Sequence, residues 1–160
     1  MKVKTDICWD GLHDMVKNLN RLEDREVRAG FDERIHEGSG LKTCTLAGYM
    51  EHGVRGETGM KIPPRPFLRQ SADIWENSIE KESLAVVKHT LSGKESLVSK
   101  NLELIGEEGK EAIQASIELQ NFTELSPTTI RIKEAKSSRY ARDILLDSGE
   151  LFQSATADIK

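Results

Sequence analysis

Apolar positions change their period from one stretch of the chain to the next, and each period predicts a different element. Between Trp9 and Leu22, the residues Leu12, Val16 and Leu19 recur near helical spacing with Met15 beside them, and Asp10-Gly11 offers a start. That spacing predicts an amphipathic helix. "EVRAGF" (26–31) then alternates, with Val27, Ala29 and Phe31 on one side, the period of a half-buried strand. Residues 32–43 hold Gly38, Ser39 and Gly40 and read as a polar loop or hairpin tip that protrudes. In "TCTLAGYMEHG", Leu46, Ala47 and Met50 fall at helical offsets with Gly53 as a C-cap, predicting a short helix. Gly56 and Gly59 make 54–61 a second protruding loop.

"MKIPPRPFLRQSADI" (60–74) is the most constrained stretch. A residue before proline is pushed out of the α region, so Ile62, Pro63 and Arg65 are expected to be extended, whereas Pro66 suits the first position of a helix. Pro64 and Pro66 thus keep the chain stiff up to the helix, where Phe67, Leu68 and Trp75 read as core sooner than contact. From there Leu68, Ala72, Trp75 and Ile79 form a stripe that continues through Leu84, Val87 and Leu91 to Ser92-Gly93. The pattern predicts one long helix of about seven turns. A second long helix follows over roughly 95–120, with Val98, Leu102, Ile105, Gly109, Ile113 and Ile117 on one face.

"LSPTTIRIK" (125–133) supports two readings. Ser126 as N-cap and Pro127 at the first helical position favour a short helix, whereas Thr128, Thr129, Ile130 and Ile132 suit a strand. Residues 136–141 read as polar loop, and Ile144 to Leu146, a turn at Asp147-Ser148-Gly149, and an element carrying Leu151, Phe152 and Ala155 complete the chain.

Composition narrows what such elements can do. At 160 residues, 37% hydrophobic and 31% charged, the chain is expected to form a single domain with one modest core. A net charge of −4 and a pI near 5.6 argue against a general nucleic-acid binder. Cys8 and Cys44 lie far apart without metal-ligand spacing, so two reduced thiols are expected. No apolar run is long enough to span a bilayer, and Met1-Lys-Val-Lys leads into Asp6 and Trp9 instead of a signal-peptide core. The expected place of synthesis and action is a cytoplasm, unless the protein leaves as part of a particle.

Catalytic chemistry finds little support in the residues. There is no phosphate-binding loop, dinucleotide fingerprint, nucleophile elbow or metalloprotease motif. His36-Glu37 and Glu51-His52 come nearest to a metal or acid–base pair, but both sit in predicted loops or at a helix end, where solvated surface groups are the simpler reading. His13 and His89 stand alone on predicted helices, and Glu103, Glu107, Glu108 and Glu111 read as a solvated face. No cofactor and no metal are expected.

Charge is unevenly spread. Arg55, Lys61, Arg65 and Arg69 with Glu57 give a surplus of three positive charges beside the prolines; Arg131, Lys133, Lys136, Arg139 and Arg142 with Glu134 give a surplus of four. Neither cluster is interleaved with the aromatics that base stacking needs. A basic edge on an acidic chain suits self-association through unlike faces around a ring, and Arg55, Lys61, Arg65, Arg69, Arg131 and Lys133 are the candidate contacts.

The order of motifs carries a further expectation. "LAGYMEHG", a Gly-rich loop, "KIPPRPFLRQSADI", a pair of long helices containing "IGEEGKEAIQASI", then "LSPTTIRIK" and "ILLDSGELFQSA" resemble, in sequence and order, the tail-component or virion-morphogenesis proteins of tailed bacteriophages. The likeness spans residues 46–155 and is most specific at Pro64 to Arg69, with Gly149 in the last motif; Ser148 stands where threonine is common and His52 where an aromatic residue is common. The resemblance implies an α+β subunit, a small mostly antiparallel sheet flanked by two long helices and a short N-terminal helix, with the final strand truncated. It also implies a homo-oligomeric ring, commonly a hexamer, at the head-proximal end of the tail. Such a ring caps the tail tube, stops its growth and meets the head-tail connector, with genomic DNA only passing through its lumen and no membrane involved. In that setting Arg65 and Arg69 would reach carboxylates of a neighbouring subunit. The rivals are a neck or head-closure protein on the portal side and a small metal-dependent nuclease built on Glu51, His52 and the basic clusters.

Overall fold

A computed structural model describes residues 9–56, 61–136 and 138–160; Cys8 and residues 57–60 of the second predicted loop lie outside that description. In chain order the elements are α1 (Trp9–Glu23), β1 (Val27–Phe31), α2 (Thr43–His52), β2 (Val54–Arg55), β3 (Lys61–Ile62), α3 (Phe67–Ser78), α4 (Glu80–Leu91), α5 (Glu95–Glu118), α6 (Pro127–Ala135), α7 (Glu150–Gln153) and β4 (Ala155–Ile159). The fold is α+β. Its spine is α5, which carries α3 and α4 on one side and the antiparallel β1–β4 pair on another.

Two glycines one turn apart explain how sheet and helices meet on α5. A Cβ at Gly109 would lie 2.7 Å from the Ala29 Cβ and 2.7 Å from the Trp75 ring, and one at Gly106 would lie 3.1 Å from the Ala157 Cβ. A bare strip on the helix therefore lets both strands and the indole approach its backbone. The Trp75 indole N–H donates to the Ile105 carbonyl at 2.9 Å, which satisfies its one polar atom as it packs. Around one end of the spine Ala47, Phe67, Ile113, Ile117, Leu151 and Ala155 form a buried cluster; around the other, Val86, Val98, Leu102 and Ile105 form a second. Phe67 is fully buried and meets the Phe31 ring edge-on with centroids 5.8 Å apart.

Several sequence expectations differ from what the chain does. The long helix expected from Pro66 to Leu91 is two helices, α3 and α4, joined at Ile79, whose φ of −83° and ψ of 1° leave the helical basin. Just before the break, Ser78 Oγ donates to the Trp75 carbonyl and Asn77 Nδ2 to the Asp73 carbonyl. Side chains that bond their own helix in this way compete with the backbone ladder and favour its end. Only α5 is long, where two long helices were expected.

At the C-terminal end the expected truncation is also corrected. Ala155–Ile159 forms β4, antiparallel to β1 in full register from Val27 opposite Ile159 to Phe31 opposite Ala155. Ala155, Ala157 and Ile159 alternate with the exposed Thr156 and Asp158, the period a strand needs to lay one face on α5. "LSPTTIRIK" resolves to helix α6: Ser126 Oγ accepts from the Thr129 N–H at 3.2 Å and Pro127 occupies the first turn.

Candidate interaction surface and cavity

The proline stretch positions the surface. Gly53, at φ 73°, ends α2 where a Cβ would lie 2.7 Å from the Ile62 carbonyl oxygen and 2.8 Å from Pro64 N, so the chain leaving α2 folds back against its own continuation. Val54 and Arg55 pair with Ile62 and Lys61 in that return. Pro66 is the N-cap of α3, one residue earlier than its expected first helical position, and supplies no side-chain cap.

Glu51 fills that gap from α2. It is buried; one carboxylate oxygen accepts from the Leu68 N–H at 2.8 Å and the other from Arg69 Nε at 3.0 Å. A carboxylate at a helix N-terminus satisfies an orphan donor and meets the positive end of the dipole. Both oxygens of the residue that a nuclease would need are thus bonded within the chain, while His52 is exposed. His36 Nδ1 accepts from the Ser39 N–H at 3.2 Å, and its Nε2 lies 3.5 Å from Glu150. Among the described residues, no group of three or more histidine, cysteine, aspartate or glutamate side chains gathers in metal-binding geometry.

The six candidate contact residues divide. Arg55 and Arg131 are exposed, on β2 and α6, and Lys61 lies in β3 opposite Arg55. Arg69 is 70% exposed and its charge is bound to Glu51 of its own chain. Of the two arginines expected to reach a neighbour's carboxylates, Arg69 is also bonded to Glu51 of its own chain and Arg65 is only 8% exposed. Lys133 is equally buried. Trp75 and Phe67 belong to the interior already described, Pro64 is exposed, and Gly149 at φ 81° turns the chain into α7.

Arg65 and Lys133 share a half-open cavity of about 800 Å³ between the 36–39 loop, α2, the proline stretch, α6 and the segment before α7. Lys133 Nζ donates to the carbonyls of Tyr140 and Asp143, each at 2.8 Å, and to that of Leu146. Three carbonyls use its three donors and tie the irregular 140–146 segment to α6. Burial holds the Lys133 ammonium below its ordinary value against the pull of Asp147 and Asp143, and the nearby Arg65 charge lowers it further. The Arg65 Nη1 lies 3.6 Å from Met50 Sδ, its Nε has no hydrogen-bond partner among the described residues, and burial pushes the guanidinium below its usual range. Arginine nevertheless stays charged at any ordinary pH.

A second surface lies at the N-terminal end. Leu12, Met15, Val16 and Leu19 of α1 are 41–50% exposed, although they form the apolar stripe that the spacing predicts. On α4, Leu84, Val87 and Leu91 are exposed as well. No described helix is long and apolar enough to cross a membrane.

No protein-family model, no curated protein and no solved structure matches this chain. Charge alone places Arg65 and Lys133 at the surface, and only the fold brings them to one cavity. A signal existed in Pro64-Arg65-Pro66, where prolines on both sides restrict the arginine's backbone.

Proposed function

We propose that this chain is a structural virion protein that forms a ring at the head-proximal end of a phage tail, closing the tail tube and joining it to the head connector. The observation that carries the proposal is the uncovered apolar face of α1, four large side chains in a row that a subunit of an assembly would bury against its neighbour. The motif order from "LAGYMEHG" to "ILLDSGELFQSA" supplies the setting. The internal bonding of Glu51 weighs against the nuclease alternative, since a metal would have to displace a helix cap.

Electron microscopy of tails assembled with and without this chain tests the reading. Overlong or frayed tails in its absence are the expected outcome for a terminator. Tails of normal length that fail to join heads move the role to a completion or neck protein. Tails that are normal in length and in head attachment overturn the proposal.

A further inference from the structure

The cavity between α2, the proline stretch and α6 contains an electrostatic imbalance that the chain itself leaves unresolved. Arg65 and Lys133 are each 92% removed from solvent by the fold, yet among the described residues no carboxylate lies within 4.0 Å of either. Lys133 has three carbonyl acceptors, whereas among the described residues the Arg65 guanidinium meets the Met50 thioether and its enclosed Nε has no partner. A buried charge is costly unless it is paired and hydrogen-bonded, so an anion entering the cavity would supply a partner that Arg65 lacks among the described residues. The walls beside the cations are apolar, with Met50, Ile62, Leu145 and Leu146 among them.

We infer that this cavity receives a glutamate or aspartate side chain, flanked by apolar residues, from a peptide segment of another protein chain. The carboxylate meets Arg65 in charge-assisted hydrogen bonds, and the neighbouring apolar side chains lie on the walls. A peptide segment is the fitting occupant because the cavity holds about 800 Å³, is half-open, and joins buried cations to apolar walls contributed by several separate segments. Charge sets its character more narrowly. Glu124 and Asp147 border the cavity as exposed acids beside one exposed base, Lys136, whereas Arg65 and Lys133 are buried. Glu150 is already engaged by the Glu37 N–H at 3.1 Å and by His36. A single carboxylate inside with basic residues outside is complementary to this arrangement, and a run of acidic residues is not. The inference concerns the isolated chain and stands apart from the ring reading.

The test is a titration of the full-length chain, followed by amide shifts in two-dimensional NMR, with acetyl-Lys-Leu-Glu-Leu-Lys-amide and its glutamine counterpart. Saturable shifts at Met50, Arg65, Lys133 and Leu146 are expected, with the glutamate peptide binding at least about tenfold more tightly, since the two probes differ by the charge alone. Arg65→Gln is expected to abolish that preference. Should that variant fail to fold, Ile132→Glu serves the same purpose from an exposed position on the cavity wall, placing a like charge beside the incoming carboxylate and removing binding. Octanoate and inorganic phosphate are titrated in parallel. Absence of saturable shifts at the cavity, equal binding of the two peptides, or saturation by octanoate or phosphate but not by the peptide would each overturn the inference.

Discussion

The two ends of this molecule use the same kinds of side chain in opposite ways. Along the inner half of α5, Phe67, Ile117 and Ile113 are buried and the strands lie on a glycine strip. On α1 an equally regular apolar stripe, Leu12 to Leu19, stays about half exposed. The difference teaches that amphipathic spacing reports only that a helix has a face to cover. What covers it is decided by the fold in the first region and, on the proposed reading, by another subunit in the second. Substitutions should therefore act on stability at the centre and on assembly at α1.

The largest effect is expected from Phe67→Ala. Removing a fully buried ring that holds α3 against β1 and α5 should cost about 3–5 kcal/mol, read as a fall in the midpoint of urea unfolding. A loss below about 1 kcal/mol would mean that the centre is no better packed than the α1 face. Gly109→Ala comes next. Its Cβ would stand 2.7 Å from Ala29 and from Trp75, and overpacking of this kind costs about 1–3 kcal/mol, offset by about 1 kcal/mol of better helix propensity. Adding Ala29→Gly to Gly109→Ala should recover part of the loss, because it vacates one of the two contacts. No recovery in that double variant would place the whole conflict at Trp75.

Much of this centre was legible before the fold was known. The α5 stripe from Val98 to Ile117 and the alternation in "EVRAGF" are local patterns that agree with their elements, whereas "LSPTTIRIK" suited helix and strand alike and folds as α6. What escaped depends on partners distant in sequence. The break at Ile79 rests on polar side chains turning onto their own helix, which a hydrophobic stripe does not register. Completion of the sheet by β4 depends on a strand at the opposite end of the chain. Glu51 looked like half of an acid–histidine pair because the helix it caps begins only after the chain has folded back through Gly53 and the prolines. The burial of Arg65 and Lys133 is of the same kind: sequence reports a charge, and only the fold reports whether water or a partner can reach it.

Glu51→Gln sits between the two regimes. The amide keeps the shape and can still accept from the Leu68 N–H, but it loses the charge that faces the helix dipole and Arg69. A loss of about 1–2 kcal/mol is expected at neutral pH, measured by urea unfolding. Glu51→Ala should cost more, since it leaves the buried Leu68 N–H without its acceptor. Equal losses from the two variants would show that the charge, and not the hydrogen bond, supplies the stabilisation.

The smallest effect on stability and the largest on assembly are expected from Val16→Glu. Val16 is 48% exposed on α1, and glutamate is a better helix former than valine, so unfolding of the isolated chain should change by no more than about 0.5 kcal/mol. Its new charge, however, falls in the middle of the stripe that runs from Leu12 to Leu19, where burial against a neighbour would strip it of water without a partner. Tails assembled with the variant should therefore lack the chain while the purified variant unfolds like the unsubstituted protein. If the variant is incorporated as well as the original, the α1 face is not an assembly surface, and its exposure sets it apart from the centre without giving it a role. A variant that is lost from tails and also unfolds early would place Val16 with Phe67, among residues whose work is done inside the subunit.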